Sequence, residues 1–148
     1  MTIFEALRAD HDTQRTLLDL LVKTHGDSEG RAELFEKLKA ELDAHAAAEE
    51  RFFYVPLMEH DLTQEKARHS IAEHHEIDEL IEKLEETDPS SPAWLHTAKK
   101  LRERVIHHLD EEEHEVFQMA GKALTEPEKT DLTEPYRGEM ARQRGKEA

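Results

Sequence analysis

The chain contains no cysteine, which excludes disulfides, thiolate zinc sites, iron–sulfur clusters and a cysteine nucleophile. Any metal it binds must therefore sit on nitrogen and oxygen. Five glycines and five prolines in 148 residues, with few β-branched positions, give too little turn and strand material for a sheet protein. The composition reads as all-α. No apolar run approaches the length needed to span a bilayer, and the opening stretch MTIFEALRADHD carries acids inside its first apolar segment. No leader or anchor is expected, and a cytoplasmic location is. Basic charge is also scarce: 20 Lys and Arg stand against 35 Asp and Glu, a formal net charge of −15. Nucleic acid and anionic membrane both need clustered cations, so neither is expected as a partner. The mixed tail from Arg137 to Lys146 is too short to reverse that.

What remains is a charged, helix-forming chain of the usual size for one domain, with eleven histidines as its oddity. Thr2 followed by Glu5 fits a capping box, and Phe4, Leu7, Leu18 and Leu21 recur at helical spacing until His25 and Gly26. After the turn at 26–30, Leu34, Leu38, Leu42, Phe52 and Phe53 mark a second helix over about 31–58. Thr63 is the expected N-cap of a third, whose apolar residues Ala67, Ile71, Ile77, Ile81 and Leu84 fade at Asp88-Pro89. Ser91-Pro92 opens a fourth, carrying Trp94, Leu101, Val105, Val116 and Met119. Short connections between four long helices predict an antiparallel up-down-up-down four-helix bundle over 1–124. Residues 125–148 read as a partly ordered C-terminal extension, a short helix or a strap containing Leu132 and Tyr136.

A shift of 63 residues overlays the two halves, placing Leu17 on Leu80, Leu18 on Ile81, Leu21 on Leu84, Leu38 on Leu101, Leu42 on Val105 and Tyr54 on Phe117. The bundle is expected to be an internal pseudo-twofold repeat. The same shift lays His11 on His74, His45 on His108, and Glu49-Glu50 on Glu112-Glu113.

His-x-x-x-Glu occurs six times in this acidic chain, so the motif alone selects nothing and helical phase must decide. Residues four apart share a helix face, and a His and a Glu there reach one ion only if that face points into the bundle. His108 shares its stripe with Leu101, Val105 and Met119, whereas His107 lies with Lys100, Glu103 and Arg104. His74 lies with Ile71, Ile77 and Ile81, whereas His75 lies with Arg68, Glu79 and Glu82. Glu50 is swung about 100° from Glu49. Phase and repeat thus select the same six residues, His11, His45, Glu49, His74, His108 and Glu112. Unpaired carboxylates in a bundle core would cost several kcal/mol each or protonate, so a cation is expected among them. Nitrogen and oxygen donors suit iron, zinc, manganese or copper, and six donors in a twofold set suit two irons better than one tetrahedral zinc.

The motifs Asp10-His11, His45-Ala-Ala-Ala-Glu49-Glu50 with its following aromatics and Pro56, Glu73-His74, and His108-Leu-Asp-Glu-Glu112-Glu113 before Val116-Phe117 carry a resemblance. Over about residues 1–124 the chain resembles the hemerythrin-like, or HHE cation-binding, proteins. That implies two Fe ions with a bridging oxo, hydroxo or water ligand, zinc or manganese being possible substitutes. Oxygen-carrying hemerythrins have a fifth histidine one turn along the third helix, where this chain has Ser70 and Asp78. The resemblance therefore implies peroxide or oxygen reduction, nitric oxide reaction or iron handling rather than oxygen carriage. The partner would be a diatomic or peroxide ligand, in a monomer or weak homo-oligomer. A metal or oxygen sensor without turnover is the alternative. Tyr54, Phe52, Phe53 and Phe117 fall just past the ligands and read either as ordinary core or as a wall around the site, with Tyr54 able to hydrogen-bond there.

Overall fold

A computed structural model describes residues 1–147. Helix α1 is Ile3–Leu21. Helix α2 spans 29–58, its α-helical Glu29–Glu49 passing through a π-helical turn at Glu50–Tyr54 into Val55–Met58. Helix α3 is Asp61–Glu86. Helix α4 spans 92–123, with Pro92–Glu111, a second π turn at Glu112–Val116, and Phe117–Ala123. A short α5, Glu126–Asp131, leads into α6, Thr133–Glu147. No helix among the described residues is long and apolar enough to cross a membrane.

The ends of the helices follow local chemistry. Thr2 and Glu5 form the reciprocal capping box of α1, and the Ser91 hydroxyl accepts from Ala93 N–H with Pro92 in the first turn of α4. Helix α1 stops at Leu21, earlier than the expected His25, because the Thr24 hydroxyl donates to the Leu21 carbonyl at 2.7 Å and Gly26 turns the chain at φ 53°. Thr63 is not the cap of α3, which begins at Asp61. Its hydroxyl donates instead to the Leu57 carbonyl at 2.6 Å, satisfying an acceptor left over at the end of α2.

The core is two apolar clusters with a polar layer between them. Ile3, Leu7, Phe53, Leu57, Ala67, Phe117 and Ala120 belong to one, and Leu18, Leu21, Phe35, Leu38, Ile81, Trp94 and Leu101 to the other. Each long helix passes from one cluster to the other, α1 and α3 in one direction and α2 and α4 in the reverse. The up-down-up-down order of the bundle follows from that alternation. Each helix crosses the boundary at a histidine: His11 after Leu7, His45 after Leu42, His74 after Ala67, His108 after Val105.

Helix α6 is a fifth long helix laid along α2 and touching α1. Tyr136 and Met140 are buried in the first cluster, and Arg144 pairs with Glu41 at 2.7 Å and Asp10 at 2.9 Å. The extension thus closes one flank of the bundle.

At the other end, Arg31 clamps the two inter-helix turns. Its guanidinium donates to the Thr24 carbonyl at 2.7 Å and the Pro89 carbonyl at 2.5 Å, and it lies 4.5 Å from the centroid of the buried Trp94 ring. Arg31→Ala should lower the unfolding free energy by about 2–3 kcal/mol in urea titrations, since three part-buried charge-assisted hydrogen bonds, to the Thr24 hydroxyl and carbonyl and the Pro89 carbonyl, and a cation–π contact are lost together. A change under about 0.5 kcal/mol would contradict this account of the turns.

Candidate metal centre

All six residues selected by phase and repeat lie in the polar layer, and each is buried. The neighbours rejected on phase, His75 and His107, are exposed. The four imidazoles turn Nε2 toward the two carboxylates. His11 Nε2 is 3.3 Å from Glu112 Oε1 and His74 Nε2 is 3.3 Å from Glu49 Oε1. His45 Nε2 is 3.4 Å from Glu49 Oε1, and His108 Nε2 is 3.5 Å from Glu112 Oε2. Each pair of distances joins positions related by the 63-residue shift, so the pseudo-twofold seen in the sequence is a geometric one. Ring packing repeats it, His11 on His45 at 5.1 Å and His74 on His108 at 4.9 Å.

Whether these donors suit a cation is decided by their unmet valence. Among the described residues, the buried atoms without a hydrogen-bond partner are His11 Nε2, His45 Nε2, His108 Nε2, Glu49 Oε2, Glu112 Oε1 and Gln14 Nε2. Buried polar atoms are normally satisfied, and here five of the six orphans belong to the predicted ligand set. Two donors about 2.1 Å from a common ion sit roughly 3.0–3.4 Å apart at octahedral or tetrahedral angles, close to the separations found. The donors fall into two overlapping groups, His11, His45, Glu49 and Glu112, and Glu49, His74 and His108. This layer could hold metal, with Glu49 shared between the groups.

The opposite nitrogen of each imidazole is held from outside, which fixes ring orientation and leaves Nε2 free for a metal. His11 Nδ1 meets Glu113 Oε2 at 2.6 Å and His74 Nδ1 meets Glu50 Oε1 at 3.1 Å, again a repeat-related pair. His108 Nδ1 meets Glu73 Oε1 at 2.9 Å. Asp10 is the repeat mate of Glu73 but is one methylene shorter, and here a tyrosine intervenes. The Tyr136 hydroxyl donates to Asp10 Oδ2 at 2.6 Å and lies 2.8 Å from His45 Nδ1. Sequence reasoning placed Tyr136 in the extension and assigned it no role. The visible signal was the unequal pair Asp10-His11 and Glu73-His74.

The π turns have a purpose at this layer. Residues five apart point in different directions on an α-helix but come nearly into line on a π turn. Tyr54 thereby returns to the side of Glu49, where its buried hydroxyl lies between Glu49 Oε1, at 2.8 Å, and Glu112 Oε2. Phe117, at the matching position after Glu112, stacks on His11 with centroids 6.0 Å apart. Phe53 is buried core and Phe52 is only partly buried.

Charge in the layer is balanced internally. Burial disfavours the imidazolium of His11, but the neighbouring carboxylates of Glu112, Glu113 and Glu49 outweigh it and push the pKa up to about 9. His74 is lifted to about 10 against burial by Glu49 and Glu50. Burial raises the Glu49 carboxyl, yet His45, Glu112 and His74 hold it well below the usual carboxylate range. Glu112 is raised by burial and by the charge of Glu49. A small cavity of about 20 Å³ adjoins the layer, lined by Gln14, His45, His74, Ile77, Asp78 and His108 among others. It has room for one water-sized molecule.

The Hemerythrin HHE cation binding domain profile matches residues 2–120. A solved Hemerythrin HHE cation binding domain-containing protein from Mycobacterium kansasii superposes with a TM-score of 0.89 at 24% identity, covering 99% of this chain and 89% of that one. A curated relative from Nostoc sp. named DNA nickase is 27% identical over 117 residues, 79% of this chain. The chain spans only 33% of that relative's length.

Two predictions follow from the layer. In the metal-free protein His11 and His74 hold protons at neutral pH, because both pKa values are raised well above 6.5. A cation must displace them, so loading should eject protons below about pH 9 and its affinity should rise with pH toward 9–10. Calorimetry in buffers of different ionisation enthalpy reads the proton count, and pH-independent uptake would contradict it. Tyr136→Phe should weaken metal retention against a chelator by roughly tenfold while the fold persists; unchanged retention would mean that Tyr136 serves packing alone.

Proposed function

This chain belongs to the Hemerythrin HHE cation binding domain family, and on that premise we propose that His11, His45, Glu49, His74, His108 and Glu112 hold two non-haem irons that bind or reduce oxygen or peroxide, or react with nitric oxide. The observation that carries the reading is the convergence of four Nε2 atoms on two buried carboxylates, most of them without a hydrogen-bond partner. Irons held by these residues would supply one-electron redox chemistry to a small ligand.

The rest is the work of the chain's own residues. Glu49 is shared by the two donor groups and Glu112 belongs to one of them, and the hydroxyl of Tyr54 lies between the two carboxylates with a single proton to donate. Burial pushes the Tyr54 phenol up, so it stays a donor across the working pH range. The cavity beside His45, His74 and His108 is small and borders the donor atoms, which favours a small ligand over a bulky organic substrate. Gln14, whose amide Nε2 has no partner, lines that cavity opposite its repeat mate Ile77. It offers one hydrogen bond to a ligand entering there, beside an apolar wall.

A second reading has a specific observation behind it. The Nostoc relative is about three times as long as the matched stretch, so there the domain works joined to other segments, as a metal-binding or sensing module would. Action on DNA, named for that relative, forms no part of the proposal, because a net charge of −15 repels phosphate.

Iron-loaded protein exposed to air should show a near-ultraviolet and visible charge-transfer absorption that changes on adding hydrogen peroxide, azide or nitric oxide. No response to any of the three would sink the redox reading. Gln14→Leu should leave iron content intact and weaken azide binding by roughly fivefold, the equivalent of about 1 kcal/mol for one buried hydrogen bond; equal affinity would remove Gln14 from the ligand site.

A further inference from the structure

Two further His-x-x-x-Glu motifs, His69/Glu73 and His107/Glu111, face each other across α3 and α4. His69 Nε2 is 3.3 Å from Glu111 Oε1 and 3.7 Å from Glu73 Oε1. His107 Nε2 is 3.3 Å from the other oxygen of Glu111. Ligand atoms of His69, Glu73 and Glu111 all lie within 4.8 Å of one another. We propose that His69, Glu73, His107 and Glu111 form a separate, solvent-facing site for a borderline divalent cation of the Fe²⁺ or Zn²⁺ kind.

Three features support a site over a chance meeting of surface charges. The donor set is two imidazoles and two carboxylates on rigid helices, the same chemistry as the buried layer, with both contacts to Glu111 at 3.3 Å, as in that layer, and His69 to Glu73 longer at 3.7 Å. The neighbouring cation, Lys66, is drawn aside by Glu115 at 2.8 Å, leaving Glu111 to the histidines. The cluster also has no counterpart in the other half of the repeat. The positions 63 residues earlier are Ala6, Asp10, Ala44 and Ala48, of which the three alanines are buried. The side chains that could chelate thus occur on the flank where water and ions can reach them: His69 and His107 are 55% and 68% exposed.

Glu73 joins this site to the buried one. Its Oε1 meets His108 Nδ1 at 2.9 Å from the inside while facing His69 from the outside. A cation on the surface cluster and the orientation of His108 therefore draw on the same carboxylate.

The test uses the protein as purified with its buried metal, desalted and then titrated with Zn²⁺ by calorimetry, and with Co²⁺ followed by visible absorption. The wild type should bind one further equivalent with histidine-type Co²⁺ bands. His69→Ala with Glu111→Gln, and His107→Ala alone, should weaken or lose that equivalent while helicity and buried metal content stay at wild-type values. His75→Ala, an exposed histidine on the same helix outside the cluster, should keep it. Absence of the further equivalent in the wild type, or its persistence in the double variant, would overturn the site. Buried metal content is measured beside each titration, so uptake by the buried layer is told apart from uptake by the surface cluster and the two proposals fail separately.

Discussion

The structure turns on one electrostatic constraint: two carboxylates, Glu49 and Glu112, are fully buried at the mid-level of a helical bundle and faced by four buried imidazoles. Such groups are costly in an apolar interior unless each charge is met. The chain meets that demand in rings. Imidazoles surround the carboxylates, and Glu50, Glu73, Glu113 and Tyr136 hold the far side of the imidazoles. The apolar core is divided in two to leave room for this layer, and the helices relax into π turns just beyond Glu49 and Glu111 so that Tyr54 and Phe117 can close over it.

The layer is nearly twofold symmetric, and its departures from symmetry are where function would enter. Gln14 faces the small cavity where the twofold would put a second isoleucine. Tyr54 offers a hydroxyl where Phe117 offers only a ring. Tyr136 bridges Asp10 to His45, while Glu73 reaches His108 unaided. One flank is roofed by α6, and the opposite flank carries the outward His and Glu residues. The symmetric part of the scaffold supplies the candidate donor set, while its asymmetries seal one flank with α6 and place the Gln14 amide beside the small cavity.

Much of this was legible in the sequence, for physical reasons that can be named. The four bundle helices follow from apolar periodicity and from caps at Thr2 and Ser91, and the burial of His74 and His108 beside exposed His75 and His107 follows from phase. The outer ring was only half visible. Glu50 is set aside because it is swung about 100° from Glu49, and that swing, shared by its repeat mate Glu113, is what lets the two reach Nδ1 of His74 and His11. Tyr136 is placed in the extension but its contact with His45 is not predicted, because that contact depends on how an Arg-rich and Glu-rich extension folds back over the bundle, and local pattern does not specify that. The π turns were missed because one extra residue per turn leaves an apolar pattern almost unchanged, and Thr63 was misread because a hydroxyl near a helix start serves the preceding helix as readily as its own.

The account's central claim is that the inward-facing histidines and glutamates, and not their outward neighbours, hold the metal. Metal content per chain after anaerobic ferrous loading and desalting tests it most directly, comparing wild type with His74→Ala and His75→Ala. The account predicts about two irons for the wild type and for His75→Ala, and a clear loss for His74→Ala. A wild type that retains no metal, or two variants that retain the same amount, would contradict it.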